Sequence, residues 1–569
     1  MDLIYPLQNA YRHSVSLDGA WHFKFDQDGA SWEKSVPKGM QVIVPSNVHD
    51  NFIDLHDRNY TGTMWFERHV YIQKEWLGEL VYLHFENIGR RAVVYVNGTE
   101  VGRHEGAFVP ASFEVTRHLH YGEDNTVIVK VNNDIAPYDM LGGTLVEGVD
   151  GQKQRVSAVP YRVPSGLCGT VHMTTAPQNR LLDVNFHIEE LCADKAVISY
   201  VASIKGNCLV TTILRDRDGR VVATGVGGNG QLVLENPHLW SIGDGYMYRV
   251  DFDVSRLGKQ HDTYSIPIGI RQVGLQDGVW NLNGKSIRLQ GVKLDIENIP
   301  GILSNAVVAR RELQRVLSLG GNCIYTGGYV LPELLLTMAD EMGLLVLDEL
   351  PAAGLGVTSI GELTNHISFY SRGDIRGRIL PQHITMIRTL MQAHKNHPSI
   401  IGWSLIHEPG FVMQEDAPYF NEIVTIAGQL DPEHRPLMMT VRQSVHDMSI
   451  DVIKLFDVII VSALSYDRDV HGVTNAYVGE TRMGSIEPVR QWQAAHPSLS
   501  IMARISGDMP NAKASRGCQN YLDIDNMGDA EYYTMEQLTQ LKTIAAVCGE
   551  GLDSVSNLHP SVLKQHWSK

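Results

Sequence analysis

The chain has 569 residues, 43% of them hydrophobic and 20% charged, with a formal net charge of −16 and a pI near 5.8. That length exceeds one hydrophobic core and implies about three or four domains, while the apolar content excludes a disordered polymer. The acidic balance without a Lys/Arg stripe excludes nucleic acid as a partner, and no run approaches the ~18 apolar residues of a membrane span.

The amino terminus, Met1 to Asn9, shows no basic stretch followed by an apolar one, so a cytoplasmic location is expected. Six cysteines, Cys168, Cys192, Cys208, Cys323, Cys518 and Cys548, have no C-x-x-C spacing and read as reduced core thiols. The 24 histidines form no H-E-x-x-H, and His118 and His120 sit in a polar, loop-like stretch. No metal and no cofactor is expected.

Residues 1–180 carry short alternating runs such as Leu80 to Phe85 and Ala92 to Val96, the latter closed by Asn97-Gly98, which is hairpin grammar. A second β block over 181–275, with strands near Ala196 to Ile204, Leu209 to Arg215 and Tyr248 to Val254, suits one immunoglobulin-like sandwich. From 276 to 569 short apolar runs alternate with amphipathic helical stretches, the pattern of parallel β/α units. Eight strands are predicted: Ser286 to Lys293, Gly321 to Tyr325, Leu344 to Leu347, Ile400 to Leu405, Leu437 to Val441, Val458 to Ala463, Ser500 to Ile505 and Ile544 to Gly549. Helices are predicted at Val307 to Leu319, Leu331 to Met342, Ile384 to His394 and Met535 to Thr543. Eight strands close a (β/α)₈ barrel, whose chemistry sits at the strand carboxyl ends.

Seven stretches, in three groups, then carry a family resemblance. Arg58 to Arg68 and Val94 to Gly98 resemble the jelly-roll sugar-binding domain of glycoside hydrolase family 2. Asn236 to Trp240, Gly245 to Tyr248 and Gly269 to Arg271 resemble its immunoglobulin-like domain, and Asp348-Glu349 with Lys395 to Pro409 resemble barrel strands three and four. The likeness spans the chain and is greatest to the β-glucuronidase group. It implies a retaining glycosidase, in which one carboxyl protonates the leaving oxygen and a second, about 5 Å away, attacks the anomeric carbon.

Residue by residue, the resemblance is incomplete. Glu408 matches the acid/base position. The Asn before it, which holds the sugar 2-hydroxyl in the family, is His407 here, and the nucleophile motif T-E-Y-G or S-E-F-G reads Arg504-Ile505-Ser506-Gly507. Isoleucine has no lone pair to attack with. On strand one the family's histidine is Asp295, and on strand two R-T-S-H-Y-P becomes Tyr325 to Val330. The strand-six N-R-Y-Y reads Ser462-Ala463-Leu464-Ser465, Glu550 to Asp553 lacks the strand-eight tryptophan, and the carboxylate-clamping N-x-K has no counterpart in Ser554 to Lys569.

The remaining chemistry centres on Glu408, with His407 and a Lys293/Asp295 pair placed on one face of strand one by the period of two. Glu480 and Asp508 are the carboxylates available to replace the nucleophile. Arg504, Tyr329 and Tyr466 are expected to contact substrate, as a cation and as phenol donors or stacking surfaces. The leading expectation is a repurposed acid/base enzyme performing isomerisation, cyclisation or elimination on a small oxygenated substrate. Two alternatives stand beside it: an atypical family 2 glycosidase with a substitute carboxylate, and a non-catalytic binder of carbohydrate or protein. The expected partner is a small molecule or carbohydrate, and the family resemblance adds self-assembly into homo-oligomers.

Overall fold

The computed structural model describes the chain except residues 1–7, 27–28, 30, 137, 148–152, 158–162, 277, 295–304, 319, 356–368, 411, 442–447, 463–499, 506–543 and 550–569. Over residues 292–293, 461–462, 500–505 and 544–549 it gives the backbone course of strands only.

The first domain is a jelly roll of two antiparallel sheets. Six strands run in the order Met40–Val44, Gly19–Asp26, Thr63–Ile72, Glu123–Asn132, Arg91–Val96, Thr99–Glu105, and four in the order Ser14–Ser16, Val171–Ala176, Leu80–Phe85, Ala111–Glu114. Alternation decides which face is inside: Val81, Leu83 and Phe85 are buried against Trp21, Phe23, Phe66, Val94 and Val129, while His84 lies on the opposite face. The predicted hairpin turn is present, with Asn97 at φ 49° and Gly98 at φ 80°, the left-handed pair that lets two strands reverse without splaying.

A three-stranded sheet, Arg180–Leu191, Lys195–Lys205 and Asn229–Glu235, faces a four-stranded one built from Val221–Val226, Leu209–Arg215, Tyr248–Arg256 and Lys259–Ile268. Their inner faces bury Leu181, Ile198, Tyr200, Leu232, Val250 and Phe252, giving the immunoglobulin-like sandwich. Buried charges fasten this middle domain to its neighbours. Arg12 Nη2 lies 2.6 Å from Asp262 Oδ2, and Lys395 Nζ lies 2.6 Å from Asp183 Oδ2. Arg271 donates to the carbonyls of Pro398 and Ile400, each at 2.8 Å.

The eight barrel strands are Leu289–Lys293, Cys323–Tyr325, Leu345–Glu349, Ile400–His407, Leu437–Val441, Val458–Ser462, Ser500–Ile505 and Ile544–Gly549, all parallel, the last pairing with the first. The run predicted as one strand from Ser286 is two. Lys285–Ile287 pairs antiparallel with Val279–Leu282, and the chain enters the barrel only at Leu289. Trp280 of that small sheet is fully buried among Leu289, Cys323, Leu345, Ile401 and Met438, residues at or near the amino ends of their strands. It plugs that end of the barrel and leaves the carboxyl end as the mouth.

Strands three and four run two residues past their predicted ends, through Glu349 and His407. Helix Gly373–His394 begins well before the predicted Ile384 and runs through Gly377 and Pro381, both residues that disfavour a helix interior. Burial of Ile375, Ile379 and Leu380 overrides that local preference. The predicted helix from Met535 to Thr543 lies outside the described residues.

Candidate active site

Every residue of Ile400–His407 is buried, as expected for a barrel strand covered on both faces, and Glu408 is the first to emerge at the mouth. Its backbone sits at φ 45°, in the left-handed region that a residue with a side chain adopts at a cost of about 1–3 kcal/mol. A hydrogen bond holds it there: the Glu408 N–H donates to Thr440 O of strand five at 2.7 Å. On the other side the loop after strand three runs alongside, the His407 N–H donating to Ala352 O at 2.8 Å and the Gly354 N–H to His407 O at 3.0 Å. The chain direction at the end of strand four is therefore fixed from both neighbours.

His407 lies between two carboxylates. Its Nδ1 is 3.4 Å from Glu349 Oε1 and its Nε2 is 3.8 Å from Glu408 Oε1. The imidazole and Glu349 are almost wholly enclosed, whereas the Glu408 side chain retains 14% exposure. This gradient puts Glu408 at the solvent-facing end of the row.

Glu349 is secured by the segment after strand two. Its Oε2 accepts from the Thr326 N–H at 2.9 Å, the Thr326 Oγ1–H at 3.2 Å, the Gly328 N–H at 3.3 Å and the Gly327 N–H. Successive backbone N–H groups converging on one oxygen form an anion-holding nest, and the glycines allow it, with φ of 86° at Gly327 and 98° at Gly328. Sequence reading did not single out Glu349 or this nest. The available signal was a carboxylate pair, Asp348-Glu349, ending an apolar run. Asp348 has a different partner, lying 2.8 Å from His394 Nδ1.

Tyr329 is held within the domain contact. Its ring stacks on Phe108 of the jelly roll with centroids 5.8 Å apart, and its hydroxyl donates to Leu294 O. The jelly roll also reaches the loop beside His407: the Ala353 N–H donates to Met140 O at 2.9 Å and the Gly142 N–H to Ala353 O at 2.8 Å. A continuous backbone ladder, Leu141 to Ala353 to His407, thus joins the first domain to the mouth.

Among the other predicted site residues, Lys293 ends strand one beside Tyr325 of strand two, but its side chain and all of Asp295 lie outside the described residues. Arg504 and Ile505 close strand seven, their backbones paired with Cys548 and Gly549 of strand eight, again without described side chains. Tyr466, Glu480 and Asp508 lie outside the described residues. The structure thus brings together Glu408, His407 and the unforeseen Glu349. Away from the barrel, Asp54, His56 and Asp57 gather three ligand-type atoms within 4.8 Å on the first domain, a mostly exposed cluster with no further feature of a metal centre.

Comparison with known proteins agrees with this architecture. The sugar-binding domain of glycosyl hydrolases family 2 matches residues 15–150, the family's central domain matches 171–271, and its TIM barrel domain matches 273–475. A β-glucuronidase from Paenibacillus borealis is 27% identical over 477 residues, covering 81% of this chain and 78% of the relative. The human β-glucuronidase is 26% identical, covering 76% and 70%. Among solved structures, the Lactobacillus rhamnosus β-glucuronidase superposes with a TM-score of 0.85 at 27% identity, over 97% of this chain and 92% of that one. A Ruminococcus gnavus β-glucuronidase in complex with D-glucuronic acid gives 0.82 at 25%, over 96% and 92%. With its three domains matched in order and its full length superposing on these enzymes, the chain belongs to glycoside hydrolase family 2 and is built on the plan of that family's β-glucuronidases.

Proposed function

We propose that this chain is an acid/base enzyme acting on a sugar-like, oxygenated small molecule, with Glu408 as the proton carrier, and that it does not work as an ordinary retaining glycosidase. The observation that carries the reading is the placement of Glu408 at the mouth beside the enclosed His407, while Ile505 occupies the strand-seven position assigned to the nucleophile. A placed acid/base pair suffices for isomerisation or elimination next to a carbonyl or carboxyl group, a contribution worth about 10²–10⁴ in rate. Retaining hydrolysis requires the second carboxyl as well.

The full-length likeness to β-glucuronidases, one of them solved with D-glucuronic acid, favours a second reading: an atypical glycosidase in which Glu480 or Asp508 supplies the missing carboxylate. One panel of assays separates the two. The purified chain is incubated with aryl β-glucuronides and β-galactosides to detect aglycone release. In parallel it is given uronic acids and their esters in D₂O, to detect deuterium uptake or an unsaturated product. Exchange or elimination that disappears in Glu408→Gln, with no aglycone release, is the expected result. Aglycone release that is lost in Glu480→Gln or Asp508→Asn would establish the glycosidase instead. A chain that binds sugars unchanged in Glu408→Gln and turns over none of these compounds would be a binding protein.

A further inference from the structure

Within the row of Glu349, His407 and Glu408, the two ends differ in kind. Glu349 Oε2 accepts from the Thr326, Gly327 and Gly328 segment, and Oε1 is the oxygen nearest the imidazole. Three backbone N–H donors on one oxygen, with the Thr326 hydroxyl beside them, make the surroundings of a carboxylate anion. His407 Nδ1 is buried and makes no hydrogen bond among the described residues, and the carboxylate oxygen 3.4 Å away is the acceptor a small ring rotation would bring into line. Its backbone is pinned through Ala352 and Gly354, and the absence of a side chain at Gly328 leaves room beside its Cβ and Cγ for the ring to turn in place.

We propose that Glu349 is a positioning residue that acts through His407 on Glu408. Building on the reading of Glu408 as proton carrier, the enclosed carboxylate keeps the hydrogen of the neutral imidazole on Nδ1, and this turns Nε2 toward Glu408. Nε2 then accepts a hydrogen bond from Glu408 while that group is protonated. After Glu408 gives its proton to a substrate oxygen and becomes a carboxylate, it takes a proton back from solvent on its exposed side, and Nε2 again accepts the hydrogen bond from Oε1. The imidazole stays neutral and Glu349 stays a carboxylate throughout. An asparagine in place of His407 could hydrogen-bond a substrate hydroxyl but has no ring tautomer for a buried carboxylate to set, so a histidine here lets Glu349 orient the acceptor that faces Glu408.

The test is ¹⁵N NMR of the full chain labelled in its histidine rings, with His407→Asn used to assign the His407 signals. The expected result is a neutral His407 protonated at Nδ1, a state that moves to Nε2 protonation in Glu349→Gln and returns in Glu349→Asp. A wild-type His407 protonated at Nε2 when neutral, or signals unchanged by Glu349→Gln, would overturn the proposal. The wild-type reading decides the matter even where Glu349→Gln fails to fold. Because the signal needs no substrate, it also separates this proposal from the Glu408 reading. A correct tautomer in a chain without turnover leaves the positioning intact and removes the enzyme, whereas a wrong tautomer in a chain whose turnover depends on Glu408 removes the positioning alone.

Discussion

Gly328 and His407 are packed so closely that a Cβ on Gly328 would lie 3.1 Å from both Cβ and Cγ of His407, and 3.0 Å from Cβ of Ala353. The same glycine, at φ 98°, donates its N–H to Glu349. One residue therefore supplies part of the carboxylate nest and the space in which the imidazole sits. Gly328→Ala is expected to destabilise the fold by about 1–3 kcal/mol, from left-handed strain and overpacking together. Denaturant unfolding measures it, and a change below about 0.5 kcal/mol would show that the loop yields without strain.

Asp431 gives the barrel an acid limit. Burial alone would push its carboxyl up, but Arg435, which it meets at 2.8 Å, and the Trp403 Nε1–H at 2.9 Å bring it down to about 2. A depressed carboxyl stabilises the fold fully above its unfolded value near 3.8, and that contribution is lost as pH falls through about 2. The displacement corresponds to about 2 kcal/mol. Asp431→Asn is expected to be less stable than wild type at neutral pH, since Arg435 remains buried without its main partner, and to show a flatter stability curve below pH 4. Parallel curves for the two proteins in acid would contradict the assignment.

Much of the fold was legible in the sequence, and the reason is physical. Barrel strands end where an apolar run ends, so strands five, seven and eight have the bounds expected from sequence, whereas Glu408 was singled out by the family resemblance of the strand-four motif. Glu349 was not singled out because its role is made by three segments that meet only after the barrel closes: strand three, the glycines after strand two, and His407. No spacing in the chain encodes that meeting. Tyr329, four residues past the end of strand two, shows the same limit, since its stacking on Phe108 joins two domains and no local pattern announces it. The break at Arg288 was hidden for a similar reason, as the antiparallel partner of Lys285–Ile287 belongs to the hairpin carrying Trp280.

His397 gives the same barrel an alkaline limit. Burial by itself would lower its pKa, but Asp340 at 2.6 Å and Glu333 at 3.3 Å raise it well above 6.5. A raised histidine stabilises the fold fully below its unfolded value, and the contribution is lost as pH rises through the folded one. Stability is therefore expected to decline from about pH 6.5 upward, with that slope absent in His397→Asn. Unfolding midpoints in denaturant at stepped pH values measure it. An identical slope in the variant would place the alkaline sensitivity elsewhere.

Placing a carboxylate at position 505 tests the reading that the chain is not an ordinary retaining glycosidase. Ile505 ends strand seven with its backbone paired to Gly549, the register in which a glutamate would follow the family pattern. Hydrolysis of a glucuronide also needs the sugar held in place, and the reading proposed above puts His407 at the family's asparagine position and Thr326-Gly327-Gly328 at its arginine and histidine segment. Those glycine N–H groups are engaged by Glu349 and so are committed within the protein. Ile505→Glu alone is thus expected to leave aryl glucuronide hydrolysis within tenfold of the uncatalysed background. Each further tenfold would represent ~1.4 kcal/mol of transition-state stabilisation beyond what that one substitution is expected to supply. A hundredfold or larger gain from that one substitution would mean that the pocket still fits a glucuronide, and the atypical-glycosidase reading would then displace the acid/base one.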